Sequence, residues 1–135
     1  MLKNLIENGF GNDRKLNCAE KILYGANEVY NLGLSDDALK LAAGFGGGMA
    51  IEEACGALTA SVMVLSKLFV ENTAHESDRI KKLTSELLGK YEREMGSIVC
   101  KPLKKNHRSL FKGCNKIIIK AAENLDYIVK RELNK

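Results

Sequence analysis

The chain has 135 residues, 45% hydrophobic and 28% charged, about one domain with the balance of an ordinary globular protein and nothing that suggests disorder or a coiled coil. A domain of this size buries about two-thirds of the surface its unfolded chain exposes, enough for a core without covalent staples. The net charge of +4 is too small to make the whole surface a nucleic-acid binder.

Met1 to Phe10 mixes acid and amide residues with apolar ones and has no long apolar run, so no secretory signal is expected there. The longest uncharged stretch, Ala54 to Ser66, is too short to cross a bilayer as a helix. These features predict a cytoplasmic protein without a membrane partner, in a reducing compartment. There, four cysteines point to metal binding or thiol chemistry more than to structural disulfides. The plain alternative is four unrelated cysteines packing as small hydrophobes.

No repeat, low-complexity tract or linker interrupts residues 1–135, which read as a single helical domain. A first helix is expected after Asn17, where Asn17 and Glu20 have capping-box spacing. Ile22, Leu23, Ala26, Val29 and Tyr30 form its apolar stripe, and Gly33 can end it with a positive φ. Ser35 is the next N-cap, with Asp36 and Asp37 favouring a helix start. That second helix carries Leu39, Leu41 and Ala42 and stops at Gly44.

The segment Gly44-Phe45-Gly46-Gly47-Gly48-Met49 holds too much glycine for a stable helix. A third helix is predicted from about Ile51 to Val70, apolar nearly all round and therefore central. Ser77 and Asp78 open a fourth, with Ile80, Leu83, Leu87, Leu88, Tyr91 and Met95 on one face. Gly96 weakens its end, and Pro102 keeps it from continuing. The last helix runs from about Asn115 to Leu133. The expected fold is an all-α compact bundle of about five helices, with a Gly-rich loop between helices two and three.

On this frame Cys18 falls in the first turn of helix one and Cys55 early in helix three. Cys100 follows helix four, and Cys114 directly precedes helix five. Three of the four lie near a helix N-terminus, where the dipole favours a thiolate. Cys55 and Cys114 are the candidates for a lowered pKa. No C-x-x-C pair is present, so neither a zinc ribbon nor a thioredoxin-type site is visible, and any shared site must be assembled by the fold.

Gly46, Gly47 and Gly48, with Gly56 just after Cys55, are candidate cofactor-facing positions, because backbone N–H groups without side chains can approach a thiolate or sulfide. The alternative is that they only permit tight helix packing. No Lys-Ser or Lys-Thr pair follows and no strand precedes, which excludes a P-loop or dinucleotide fold. Residues 101–120 carry Lys101, Lys104, Lys105, Arg108, Lys112, Lys116 and Lys120 and no acid, a local +7 that leaves −3 for the rest. Positive charge beside Cys100 and Cys114 lowers thiol pKa; as an ordinary solvated loop it would do nothing. Without aromatic interleaving it is slender support for nucleic acid. His107, seven residues from both Cys100 and Cys114, is an open candidate ligand or base, and His75 reads as surface. Glu52 and Glu53 read as helix-start residues for helix three.

Gly44-Phe45-Gly46-Gly47-Gly48-Met49 followed by Cys55-Gly56-Ala57-Leu58-Thr59 resembles the signature of the C_GCAxxG_C_C family. Asn17-Cys18-Ala19-Glu20, Gly96-Ser97-Ile98-Val99-Cys100 and Gly113-Cys114 extend the likeness from about residue 15 to 130. Ala60 departs from it, standing where the motif has its second glycine. The resemblance implies redox activity centred on Cys18, Cys55, Cys100 and Cys114, and it supplies no substrate.

Three functions follow, and whether the chain is an enzyme stays open among them. The first is thiol–disulfide chemistry or electron transfer, as an oxidoreductase or redox carrier with an unidentified redox partner. The second is a metal site of all four thiolates, with zinc or an iron–sulfur cluster as the cofactor. The third is a non-enzymatic helical interaction module whose cysteines only pack. A homodimer is compatible with each, although no interface is visible in the sequence.

Overall fold

The computed structural model describes residues 1–135 and contains seven α-helices and no β-strand: α1 (Leu2–Glu7), α2 (Cys18–Val29), α3 (Asp36–Leu39), α4 (Gly56–Phe69), α5 (Arg79–Met95), α6 (Cys100–His107) and α7 (Asn115–Leu133). The all-α class is as expected, but the count of five is corrected to seven: α1 and α6 are additional. Lys40–Phe45 and Ala74–Glu76 are short 3-10 turns. No helix is long and apolar enough to cross a membrane.

Helix α4 is the axis of the core. Ala57, Leu58, Ala60, Val64 and Leu65 are all buried on it, and it packs against α2, α5 and α7. Each fully buried Leu or Val contributes roughly 2 kcal/mol by removal from water. Ala60 is fully buried, so the methyl group that departs from the motif is accommodated inside the core. Ser61, the polar residue on this helix's buried face, donates its hydroxyl to the Ala57 carbonyl at 2.7 Å.

Several local signals act as read. Asn17 caps α2 in a full capping box with Glu20, and the Ser35 hydroxyl accepts from the Ala38 N–H at 3.1 Å. Other expectations are corrected. Helix three begins at Gly56 and not at Ile51, because Met49, Ala50 and Glu52 have left-handed φ angles of 60°, 64° and 57° and no right-handed helix can run through them. The second helix shrinks to Asp36–Leu39 followed by the 3-10 turn, leaving Leu41 68% exposed. Pro102 does not terminate α5. Gly96, at φ 88°, does that, and Pro102 sits in the first turn of α6, where its missing N–H has no partner to lose.

Helix α1 was invisible to periodicity because six residues cannot show it. It is held by one carboxylate on α7. Asp126 accepts from the Leu2 and Lys3 N–H groups at 3.0 and 2.8 Å and from the Tyr30 hydroxyl at 2.5 Å. Leu2 and Ile6 are thereby buried. Asp126→Ala should cost about 2–3 kcal/mol, since it strands three donors, and Tyr30→Phe only about 1 kcal/mol, since the two backbone donors keep their partner. Urea unfolding of both variants checks the order; equal losses would show that Asp126 does not anchor α1.

Candidate functional site

All four cysteines stand at the start of a helix. Cys18 and Cys100 are the first residues of α2 and α6, and Cys55 and Cys114 are the N-cap residues of α4 and α7. The four starts converge, so that Cys18, Cys55, Cys100 and Cys114 line a single cavity of about 250 Å³ together with Lys104 and Arg108. The expectation of three cysteines near helix N-termini is corrected to four, because Cys100 begins a helix that the sequence did not reveal.

The convergence is built from backbone contacts. Ala54 and Val99 form an isolated antiparallel bridge, flanked by Cys55 N–H to Ile98 O at 2.9 Å and Cys100 N–H to Glu53 O at 2.6 Å. Side chains alternate across such a pairing, so Cys55 and Cys100 project to the same face, into the cavity. Cys18 comes from the other side and lies over Gly56: a Cβ on Gly56 would sit 2.8 Å from Cys18 Sγ and 2.6 Å from the Phe45 carbonyl oxygen. A Cβ on Gly48 would sit 2.7 Å from Cys100 Cβ and 2.5 Å from the Glu53 nitrogen. Gly46 leaves room for the Asn17 side chain, whose Nδ2 donates to the Ala43 carbonyl at 2.9 Å. Three of the four candidate glycines therefore serve close packing, while Gly47 and Gly56 line the cavity.

The electrostatics are set by burial against dipoles. Burial, with the Cys18 charge beside it, pushes the Cys55 thiol up to about 12, although the Ala57 and Leu58 N–H groups at the start of α4 work in the opposite direction. The Cys100 thiol is also raised, first by burial, with Lys104 opposing. The expected lowered pKa of Cys55 is thus overturned: desolvation of this buried thiol exceeds what two N–H groups return.

Lys104 is held 3.6 Å from Glu52, so Glu52 serves as a partner for this lysine and lies outside α4. His107 does not line the cavity. Its Nε2 is 2.9 Å from the Met95 carbonyl oxygen, tying the end of α6 to the open C-terminus of α5. His75 is exposed. Tyr91, seen in the sequence only as a stripe residue, is fully buried and donates to the carbonyl of the cavity residue Ile117 at 3.1 Å. Burial raises its pKa, and the charges of Cys55, Cys114 and Cys18 add to that effect, which places its phenol in the site's field. No periodic pattern could have distinguished Tyr91 from its core neighbours.

No three His, Cys, Asp or Glu side chains are gathered around one point as a single ion would require. All four cysteines carry free thiols.

Two measurements follow. Alkylation of the metal-free chain by iodoacetamide, mapped by peptide, should find Cys55 slowest at pH 7, by about three orders of magnitude against a thiol of pKa near 8.5. Because its folded pKa is raised, the stability tied to Cys55 is full below about pH 8.5 and is lost as pH climbs towards about 12. A Cys55 that alkylates as fast as a free thiol would contradict this. Gly56→Ala should destabilise by about 1–3 kcal/mol through overpacking against backbone, whereas Gly47→Ala, with nothing within 4 Å, should pay only the left-handed strain of about 1–2 kcal/mol. Denaturant unfolding and the reactivity of Cys18 separate them, because only Gly56→Ala should alter Cys18.

No curated protein and no solved structure matches this chain. A family model described as "Putative redox-active protein (C_GCAxxG_C_C)" matches residues 16–128, a span that contains all four cysteines and every helix except α1 in whole or in large part. The chain belongs to the C_GCAxxG_C_C family.

Proposed function

We propose that the chain is an electron-carrying redox protein whose centre is a polynuclear iron–sulfur cluster held by the thiolates of Cys18, Cys55, Cys100 and Cys114. The observation that carries this reading is the convergence of four helix-start cysteines on one cavity of about 250 Å³. Four thiolates are the usual ligand set for such a cluster, and when bound it supplies one-electron transfer.

The chain's own groups suit that role. Ala57 and Leu58 N–H groups point at Cys55 Sγ, and hydrogen bonds of this kind stabilise a ligating sulfur and tune its potential. Lys104 and Arg108 at the wall offset negative charge. Burial, then neighbouring cysteine charges, raise the Cys55 and Cys100 thiols, so these two retain protons at neutral pH and must release them when metal binds. Leu103 and Ile117 restrict water on the inner side. A thiol–disulfide mode is the second reading, favoured by Cys55 and Cys100 projecting from one face of the Ala54–Val99 bridge.

Metal analysis with an absorption spectrum on untagged protein purified without oxygen tests both. Stoichiometric iron with visible absorbance, lost in each Cys→Ser variant, is the expected result. Metal-free protein in which Cys55 and Cys100 oxidise reversibly to a disulfide would replace the cluster with the dithiol mode. Zinc alone, without colour, would rule out electron transfer by either route.

A further inference from the structure

The loop joining α6 to α7 ends in two cavity residues, Arg108 before it and Cys114 after it. Between them Ser109 and Gly113 exchange backbone hydrogen bonds, both at 3.0 Å, and the Ser109 hydroxyl accepts from the Lys112 N–H at 2.8 Å. This small closed turn holds Leu110 and Phe111 outward, each 95% exposed. They are the two most exposed large apolar residues in the chain, and the turn beneath them is hydrogen-bonded at both ends.

A second apolar prominence stands on the other side of Lys104. Lys104 lines the cysteine cavity, shares a shallow groove with Arg108, Ser109 and Leu110, and pairs with Glu52 at 3.6 Å. Glu52 closes the left-handed turn on which Met49 and Ile51 are 42% and 70% exposed. Non-glycine residues in that conformation carry strain, which collects at functional positions.

The charge along residues 101–120 has one sign, whereas the Met49–Ile51 turn is followed by the exposed acids Glu52 and Glu53. Of the seven cations in residues 101–120, only Lys104 and Lys120 make an ion pair. Lys101, Lys105, Arg108, Lys112 and Lys116 are left without a carboxylate partner. Apolar anchors within an unneutralised basic rim are the arrangement of a steered protein–protein contact, with charge setting the approach and the anchors setting the lifetime.

We infer that Leu110 and Phe111, flanked in the chain by the unpaired Arg108 and Lys112, form the docking surface for an acidic redox protein that presents an apolar cleft rimmed by carboxylates. The inference rests on the redox reading for the nature of that partner. Its placement supports the choice, because the loop is continuous with the cavity wall at Arg108 and Cys114, so a partner seated on it lies against the cysteine site.

The test uses two acidic one-electron proteins as probes, a plant-type [2Fe–2S] ferredoxin and a flavodoxin, with basic cytochrome c as the control. Binding is followed by amide resonance shifts in the full-length chain, which do not require electron flow. At low salt at least one acidic probe should bind and perturb residues 104–114, the control should not, and affinity should fall steeply as salt rises. Leu110→Ser with Phe111→Ser should weaken binding by about thirtyfold or more, and Lys105→Glu with Lys112→Glu should mainly slow association. All four side chains are exposed, so these variants should keep the wild-type far-UV spectrum. Binding by neither acidic probe, or binding unmoved by the tip substitutions, overturns the inference. So does capture by phosphatidylglycerol vesicles through Leu110 and Phe111 without binding of either protein, which would make the surface a membrane contact. A chain that binds a probe here yet holds no cluster and no reversible disulfide would fail the redox reading and keep the surface. A redox-active chain that binds neither would do the reverse.

Discussion

Cys18 can lie beside the start of α4 only because residue 56 has no Cβ. A methyl group there would meet the Phe45 carbonyl oxygen at 2.6 Å and Cys18 Sγ at 2.8 Å, and neither the backbone oxygen nor the first residue of a capped helix can move freely. Gly48 does the same for the opposite wall, where Cys100 and the Glu53 backbone crowd its α-carbon. Four helix starts meet at one cavity because the chain gives up side chains at the points of closest approach. The Gly-rich loop is therefore chiefly a packing device, and its cost in backbone entropy is offset by the burial of α4 behind it.

The meeting point sets two electrostatic effects against each other. Helix N-termini favour negative charge, and four of them face the cysteines. The same convergence removes water, and for Cys55 the loss of solvation wins, leaving its thiol near 12 despite two N–H donors. Cys55 and Cys100 are therefore held towards their protonated forms by the packing that brings them together. For Cys55 itself this disfavours the part of attacking nucleophile, which needs a pKa near ambient pH.

Much of the scaffold was legible in the residues. Asn17 with Glu20, Ser35, and the span Asn115–Leu133 all act as their spacing and types indicate. What stayed hidden depended on distant partners. Helix α1 is too short to show a period and exists because Asp126, more than a hundred residues away, accepts its free N–H groups. Helix α6 was masked by Pro102, which reads as a stop when α5 is followed forwards and as a permitted first-turn residue when α6 is viewed from its own start. The start of α4 was misplaced because nothing in Ile51-Glu52-Glu53-Ala54 reveals a left-handed turn forced by pairing with Val99. The cysteines themselves were plain, and their contexts carried the family likeness. Their distances were not, since convergence is a property of four helix packings at once.

In the turn Gly47–Glu52 two glycines are followed by residues that fit their backbone poorly. Gly47 and Gly48 adopt the left-handed region without cost, but Met49, Ala50 and Glu52 do so at about 1–2 kcal/mol each. That strain is held by the Glu53 N–H to Gly48 O bond at 3.0 Å, by the bridge to Cys100, and by Glu52 on Lys104. A regular helix from Ile51 would remove the strain at Glu52, but it would also carry Cys55 into mid-helix, where its sulfur would lose the free N–H groups of Ala57 and Leu58. It would also break the pairing that sets Cys55 beside Cys100. The left-handed turn is thus the local cost of delivering a cysteine to the first turn of the central helix, and the buried length of α4 is what allows the chain to bear it.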